Sequence, residues 1–173
     1  EAIPGHHLQN AIAMELNVPE FRRTLSHSAF GEGWALYTER LGKEAGFYQS
    51  PYSDFGRLGY EMWRAVRLVV DTGIHAFGWS RQKAIDYLAS HTALPQSAVE
   101  DQIDRYISWP GQALSYKMGE IKIRELRAKA EKELGAQFDI RSFHDTVIGQ
   151  GSLPMAVLED VINDWIAKQK KTK

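Results

Sequence analysis

The sequence predicts an all-α protein of about eight helices. Three observations predict it. Apolar residues recur at helical spacing nearly throughout, no stretch alternates with the period of two that marks a strand, and Ser, Asp, Pro and Gly stand where helices begin and end.

In chain order, the first helix is expected from Gly5 to about Leu16, stopped before Val18-Pro19. The second runs from about Ser28 through Glu44 and is closed by Gly46. A long third helix spans about Asp54 to Phe77 and ends at Gly78. Ser80 is placed to cap a fourth, reaching about Ser90, and Pro95 opens a fifth that ends at Ser108. Trp109-Pro110-Gly111 breaks the chain. Gln112 to about Leu134 reads as a sixth helix ended by Gly135, and Asp139 caps a seventh over Ile140–Ile148. Pro154 starts the last, amphipathic helix to Ile166, and Lys168 to Lys173 reads as a solvated, frayed end. Residues 1–173 are expected to form a single helical domain, with repeats and low-complexity segments absent. The chain opens on Glu1 inside a motif, so it is expected to be part of a longer protein.

With 43% hydrophobic and 25% charged residues and a formal net charge of −1, the composition is that of an ordinary globular protein. It offers no electrostatic case for nucleic acid or for an anionic membrane surface. No apolar run approaches the 18 or so residues of a membrane span. The absence of cysteine excludes thiolate metal sites, thiol nucleophiles and disulfides, and leaves cytoplasm and periplasm equally open.

Four segments carry chemistry. EAIPGHHLQ at the start joins a carboxylate, Glu1, to two histidines, His6 and His7, at a helix start. A zinc hydrolase needs imidazole and carboxylate ligands and a glutamate that takes a proton from water. His6 lies five residues after Glu1, two more than the usual HExxH spacing allows, and Pro4-Gly5 can absorb the excess as a loop or bulge. Paired histidines at a helix start are also ordinary surface or capping groups. GEGWALYTE places Glu32 and Glu39 seven apart, on one face of an otherwise apolar helix. Gly31 and Gly33 flank Glu32 and permit another backbone to approach; Glu39 is equally placed to pair with Arg40 or Arg23 at the surface.

The long third helix carries Arg64, Arg67, Asp71 and His75 as a continuous polar stripe among Met62, Trp63, Val66, Val69, Val70 and Ile74. It is either a solvated face or the lining of a wet internal groove, and an Asp71–His75 pair at i, i+4 would orient the imidazole. DRYISWPGQALSY sets Arg105, Tyr106, Gln112 and Tyr116 around a rigid Pro-Gly turn. These are donors suited to an oxyanion or a substrate carboxylate, or else core groups with satisfied polar tips. His144 reads as structural, and His27 and His91 as exposed or capping residues.

EAIPGHHLQ, GEGWALYTE, RLVVDTGIHAFGW, DRYISWPGQALSYKMG and FHDTVIGQGSLP, in this order, resemble the carboxy-terminal half of the bacterial domain-of-unknown-function 885 family. That family is similar to the gluzincin metallopeptidases, with HExxPGHH in place of HExxH; dipeptidyl peptidase III carries a comparably lengthened HExxGH. PGQALSYKMG also resembles the tyrosine-bearing segment of Taq-type carboxypeptidases. The resemblance implies a helical metallopeptidase with Zn2+ as cofactor and Glu1 as general base. It implies His6 and Glu32 as zinc ligands, with His7 as the alternative to His6; Asp71 and Glu39, from their own positions on α-helical faces, are the candidate supporting groups. Tyr116 or Tyr106 would stabilise the oxyanion, Arg105 and Gln112 would hold the substrate, and His75 would handle protons. The first zinc histidine of the pattern would precede Glu1, so this chain is expected to hold only the remains of the site. The function expected of the longer protein is hydrolysis of short peptides. The rivals are a non-catalytic helical peptide-binding or structural module and a zinc amidohydrolase acting on a non-peptide amide. A homodimer through apolar surface left uncovered is expected as well.

Overall fold

The computed structural model describes residues 2–171. Among them there is no strand, and the protein is all-α as expected. After an irregular opening turn the helices are α1 (His7–Glu15), α2 (Glu20–Thr24), α3 (Ser28–Glu44), α4 (Pro51–Phe77), α5 (Arg81–His91), α6 (Gln96–Ser108), α7 (Gln112–Leu134), α8 (Ile140–Ile148) and α9 (Met155–Lys171). Among the described residues no helix is long and apolar enough to cross a membrane.

Local chemistry explains the helix ends. Ser80 Oγ accepts from Lys83 N, and Asp139 accepts from Arg141 N and Ser142 N, each occupying N–H groups that the first turn leaves orphaned. Gly78 closes α4 in the left-handed conformation (φ 63°). The start of α4 departs from expectation: Ser50 and Ser53 form a reciprocal cap and Pro51 occupies the first turn, so the helix begins three residues before Asp54. Two further departures occur. The five-residue α2 was not expected, and α9 continues past Ile166 to Lys171, where Lys170 Nζ bonds Glu133 at 2.6 Å instead of fraying.

The chain divides into two compact units, Glu1–Thr38 with Met118–Lys173, and Glu39–Lys117. In the first, helical periodicity sets the buried rows: Phe30, Trp34 and Tyr37 on α3; Ile123, Leu126, Ala130 and Leu134 on α7; Phe143 and Val147 on α8; Leu158, Ile162 and Ile166 on α9. Here the backbones of α3 and α7 nearly touch. A Cβ on Gly33 would lie 2.5 Å from Gly119 Cα, and one on Gly119 would lie 1.8 Å from the Ala29 carbonyl oxygen.

In the second unit α4, α5 and α6 enclose Val66, Val70, Ala84, Ile85, Leu88, Val99, Ile103 and Tyr106. The polar stripe of α4 turns inward: Arg64, Arg67 and Asp71 are buried, and only His75 at its end is exposed. Some of its apolar residues, Phe55, Leu58, Met62 and Val69, are exposed. Its first turns are tied by charge. Arg57 bonds Asp54 at 2.9 Å and Glu61 at 2.8 Å, Lys117 bonds Glu61 at 3.0 Å, and Lys43 pairs with Asp54.

Burial pushes the Glu61 carboxyl up, but Lys117 and Arg57 together overcome this and hold it below its ordinary value. A carboxyl lowered in the folded state adds stability at neutral pH, which is lost as pH falls from the usual glutamate range, about 4.3, through the folded value. Acid titration of the unfolding temperature should therefore show a loss below that range. Glu61→Gln should flatten this acid limb; an unchanged profile would exclude the network as its source.

Candidate functional site

The opening segment does not form a continuous helix. Ile3 (φ −125°, ψ 123°), Pro4 (−89°, 26°) and Gly5 (−78°, −123°) leave the helical region, and regular geometry resumes at His6. This interruption is confined to residues 3–5. It lets Gly5 lie buried on α3, where a Cβ would stand 3.2 Å from Thr38 Oγ1 and 3.5 Å from Ala35 Cα. Trp34 Nε1 donates to the Pro4 carbonyl at 2.9 Å. Gln9, also buried, faces Gly31.

The two histidines of this segment have different surroundings. His6 Nε2 lies 3.3 Å from Glu32 Oε2, with side-chain exposures of 42% and 21%, whereas His7 is exposed. Glu1 lies outside the described residues. Among the described residues no group of three or more His, Asp or Glu side chains is disposed to hold a metal.

On α3, beyond Glu32, Tyr37 is a group that the sequence reading passed over, and His144, read there as structural, packs against it from α8. Tyr37 and His144 Nε2 share a 2.7 Å hydrogen bond, and Arg127 Nη1 donates to the same Tyr37 hydroxyl at 3.1 Å. The His144 ring meets Trp34 edge-on, 5.5 Å between centroids. His144 is thus a structural histidine that supports the indole. Its signal in the sequence, a lone histidine in an amphipathic helix, points to no partner.

In the second unit most of the predicted residues join one network. The Tyr106 hydroxyl accepts from Arg67 Nε at 2.8 Å and from Trp63 Nε1 at 3.0 Å. The Arg67 guanidinium, 3% exposed, stacks over Trp63, Tyr116 and Tyr106 at 4.5, 4.6 and 5.4 Å. Arg105 Nη2 donates to Gln112 Oε1 at 3.0 Å, and Gln112 Nε2 donates to the Tyr116 hydroxyl at 3.3 Å. His75 Nε2 donates to the Tyr106 carbonyl at 2.9 Å. Asp71 accepts from Gly111 N at 3.2 Å and so pins the Pro-Gly turn instead of orienting His75. Glu39 is 3.9 Å from Arg64, and not with Arg40 or Arg23.

Burial raises the Asp71 carboxyl, with the Gly111 N–H and His75 opposing it. Burial likewise raises the Tyr106 phenol against the pull of Arg67, so Tyr106 keeps its proton at neutral pH and remains an O–H donor.

Residues 1–162 match the model of the family described as bacterial protein of unknown function, DUF885. The chain belongs to this family. Two solved structures resemble the DUF885 chain closely. A candidate lipoprotein from Colwellia psychrerythraea is 47% identical with a TM-score of 0.95, over 97% of this chain and 29% of that one. A candidate lipoprotein of unknown function from Shewanella oneidensis is 26% identical with a TM-score of 0.87, over 94% of this chain and 30% of that one. The DUF885 chain thus spans about three-tenths of the length of these relatives. No curated protein matches it.

Proposed function

We propose that this DUF885 chain carries part of the metal-binding apparatus of a zinc-dependent peptide hydrolase. The observation that carries the reading is the approach of His6 to Glu32. Two ligands bound to one tetrahedral zinc, at the usual zinc–nitrogen and zinc–oxygen distances, lie about 3.4 Å apart; His6 Nε2 and Glu32 Oε2 lie 3.3 Å apart and both reach solvent. Imidazole and carboxylate are also the donor types that zinc hydrolases use. A bound zinc ion would supply Lewis-acid polarisation of the scissile carbonyl.

Glu1 is the residue that resemblance makes the proton acceptor, passing its proton to the leaving amine. Within the second unit, the half-buried Tyr116 phenol suits oxyanion stabilisation, worth about 3 kcal/mol for one such donor. The roles of Tyr106, Arg105, Gln112 and His75 are separate proposals, each open to its own substitution. The descriptions of the two relatives as candidate lipoproteins favour a location outside the cytoplasm for this chain too.

A non-catalytic helical module is the second reading, favoured by the exposed apolar row Phe55, Leu58, Met62 and Val69, a surface suited to contact with another polypeptide. Metal analysis of the full-length protein separates the two. About one zinc per chain is expected. Glu32→Ala and His6→Ala should each weaken zinc at least ~100-fold, the upper end of what loss of a mere supporting group costs, and His7→Ala should leave it unchanged. A full-length protein without stoichiometric zinc, or with zinc indifferent to Glu32→Ala, overturns the enzyme reading. Panels of peptides and acyl amides then distinguish a peptidase from an amidohydrolase on non-peptide amides.

A further inference from the structure

We infer that Trp34 is a positioning residue for the His6–Glu32 pair, its indole N–H clamping the segment that presents the imidazole onto the helix that presents the carboxylate. The inference rests on reading that pair as metal ligands. Pro4 precedes His6 by two residues and Glu32 precedes Trp34 by two, so the 2.9 Å bond from Trp34 Nε1 to the Pro4 carbonyl closes a small ring of chain around the pair.

The donor is held rigidly. Trp34 is 1% exposed, its ring is 5.6 Å from Tyr37 and edge-on to His144, and those two side chains are bonded to each other and to Arg127. The acceptor is delivered by a turn that leaves helical geometry at Ile3, Pro4 and Gly5, and Gly5 has no side chain to keep that turn off Ala35 and Thr38. The imidazole itself is 42% exposed, and the restraints on it are its approach to Glu32, this clamp and the Gly5 contact. Ligand geometry of this kind is commonly fixed by hydrogen bonds one step removed from the metal.

Trp34→Phe keeps a buried ring and deletes the one N–H. Two measurements on the full-length protein test the idea. In hydrogen exchange of the metal-free protein, amides of residues 6–9 should exchange at least ~10-fold faster in Trp34→Phe while those of residues 123–134 keep their rates. In cobalt(II) titration the variant should bind at least ~10-fold more weakly, the lower end of what such supporting groups contribute, and its visible absorption bands should shift. Should Trp34→Phe fail to fold, Gly5→Ala, which presses the same segment away from Ala35 and Thr38 with the indole intact, should weaken cobalt in the same direction. Exchange that rises equally across residues 123–134, or cobalt bound by Trp34→Phe with wild-type affinity and spectrum, overturns the positioning role. A wild-type protein that takes up no cobalt overturns the metal reading itself, an outcome distinct from a wild type and variant that bind alike.

Discussion

Gly119→Ala should lower folding stability by about 3 kcal/mol, the upper part of the usual range for overpacking. In a protein of this size that is a fall of roughly 6–12 °C in unfolding temperature. The added methyl would sit 1.8 Å from the Ala29 carbonyl oxygen, and the obstacle is backbone, which no rotamer change can move aside. Gly33→Ala should act in the same direction, since its Cβ meets Gly119 Cα at 2.5 Å and Glu120 N at 2.9 Å. The double variant should cost less than the sum, because both substitutions force apart the same two helices. Thermal unfolding checks this; a Gly119→Ala protein melting within a degree or two of wild type would show that the crossing is looser than described. As Gly33 adjoins Glu32, the same displacement should also weaken metal binding.

Tyr106→Phe should cost about 2–3 kcal/mol, since it strands two buried donors, Trp63 Nε1 and Arg67 Nε, one of them charged. This is the sharper test of what the residue does. A tyrosine serving only the oxyanion would lose turnover and keep its unfolding temperature. A keystone of the α4–α6 network loses stability first. Tyr116→Phe is the control: its hydroxyl takes one longer bond from Gln112, and its loss should cost under about 1 kcal/mol. A stability loss in Tyr116→Phe as large as that in Tyr106→Phe would reverse the assignment.

Helix limits were legible wherever they rest on local chemistry: Ser80, Pro95, Asp139, Gly78 and Gly135 mark them in the sequence and in the structure alike. The limits that were not legible depend on distant partners or on too little pattern. α2 has five residues, none of them buried, and so no periodic face to detect, while the end of α9 is fixed by a glutamate 37 residues upstream. The candidate site divides in the same way. Glu32 stood out as an acid among apolar neighbours. The choice of His6 over His7 turns on the direction in which the chain leaves Pro4-Gly5, which is decided by Trp34, Ala35 and Thr38 some thirty residues away. The stripe Arg64, Arg67 and Asp71 was ambiguous for a physical reason. Three charges on one helix face read as solvated unless their partners are known, and several of those, Glu39, Tyr106, Tyr116 and the Gly111 N–H, lie outside α4.

The seating of the opening segment has a mutational corollary. Gly5 rests on Ala35 and Gln9 on Gly31, so both ends of a five-residue span are fixed to one helix. Consecutive residues of a helix point about 100° apart, and one inserted or deleted residue between those seats would rotate His6 away and bring a neighbour to face Glu32. Substitution at position 7, which is exposed, should therefore leave the site's geometry intact, whereas a change in the count of residues from Gly5 to Gln9 should not.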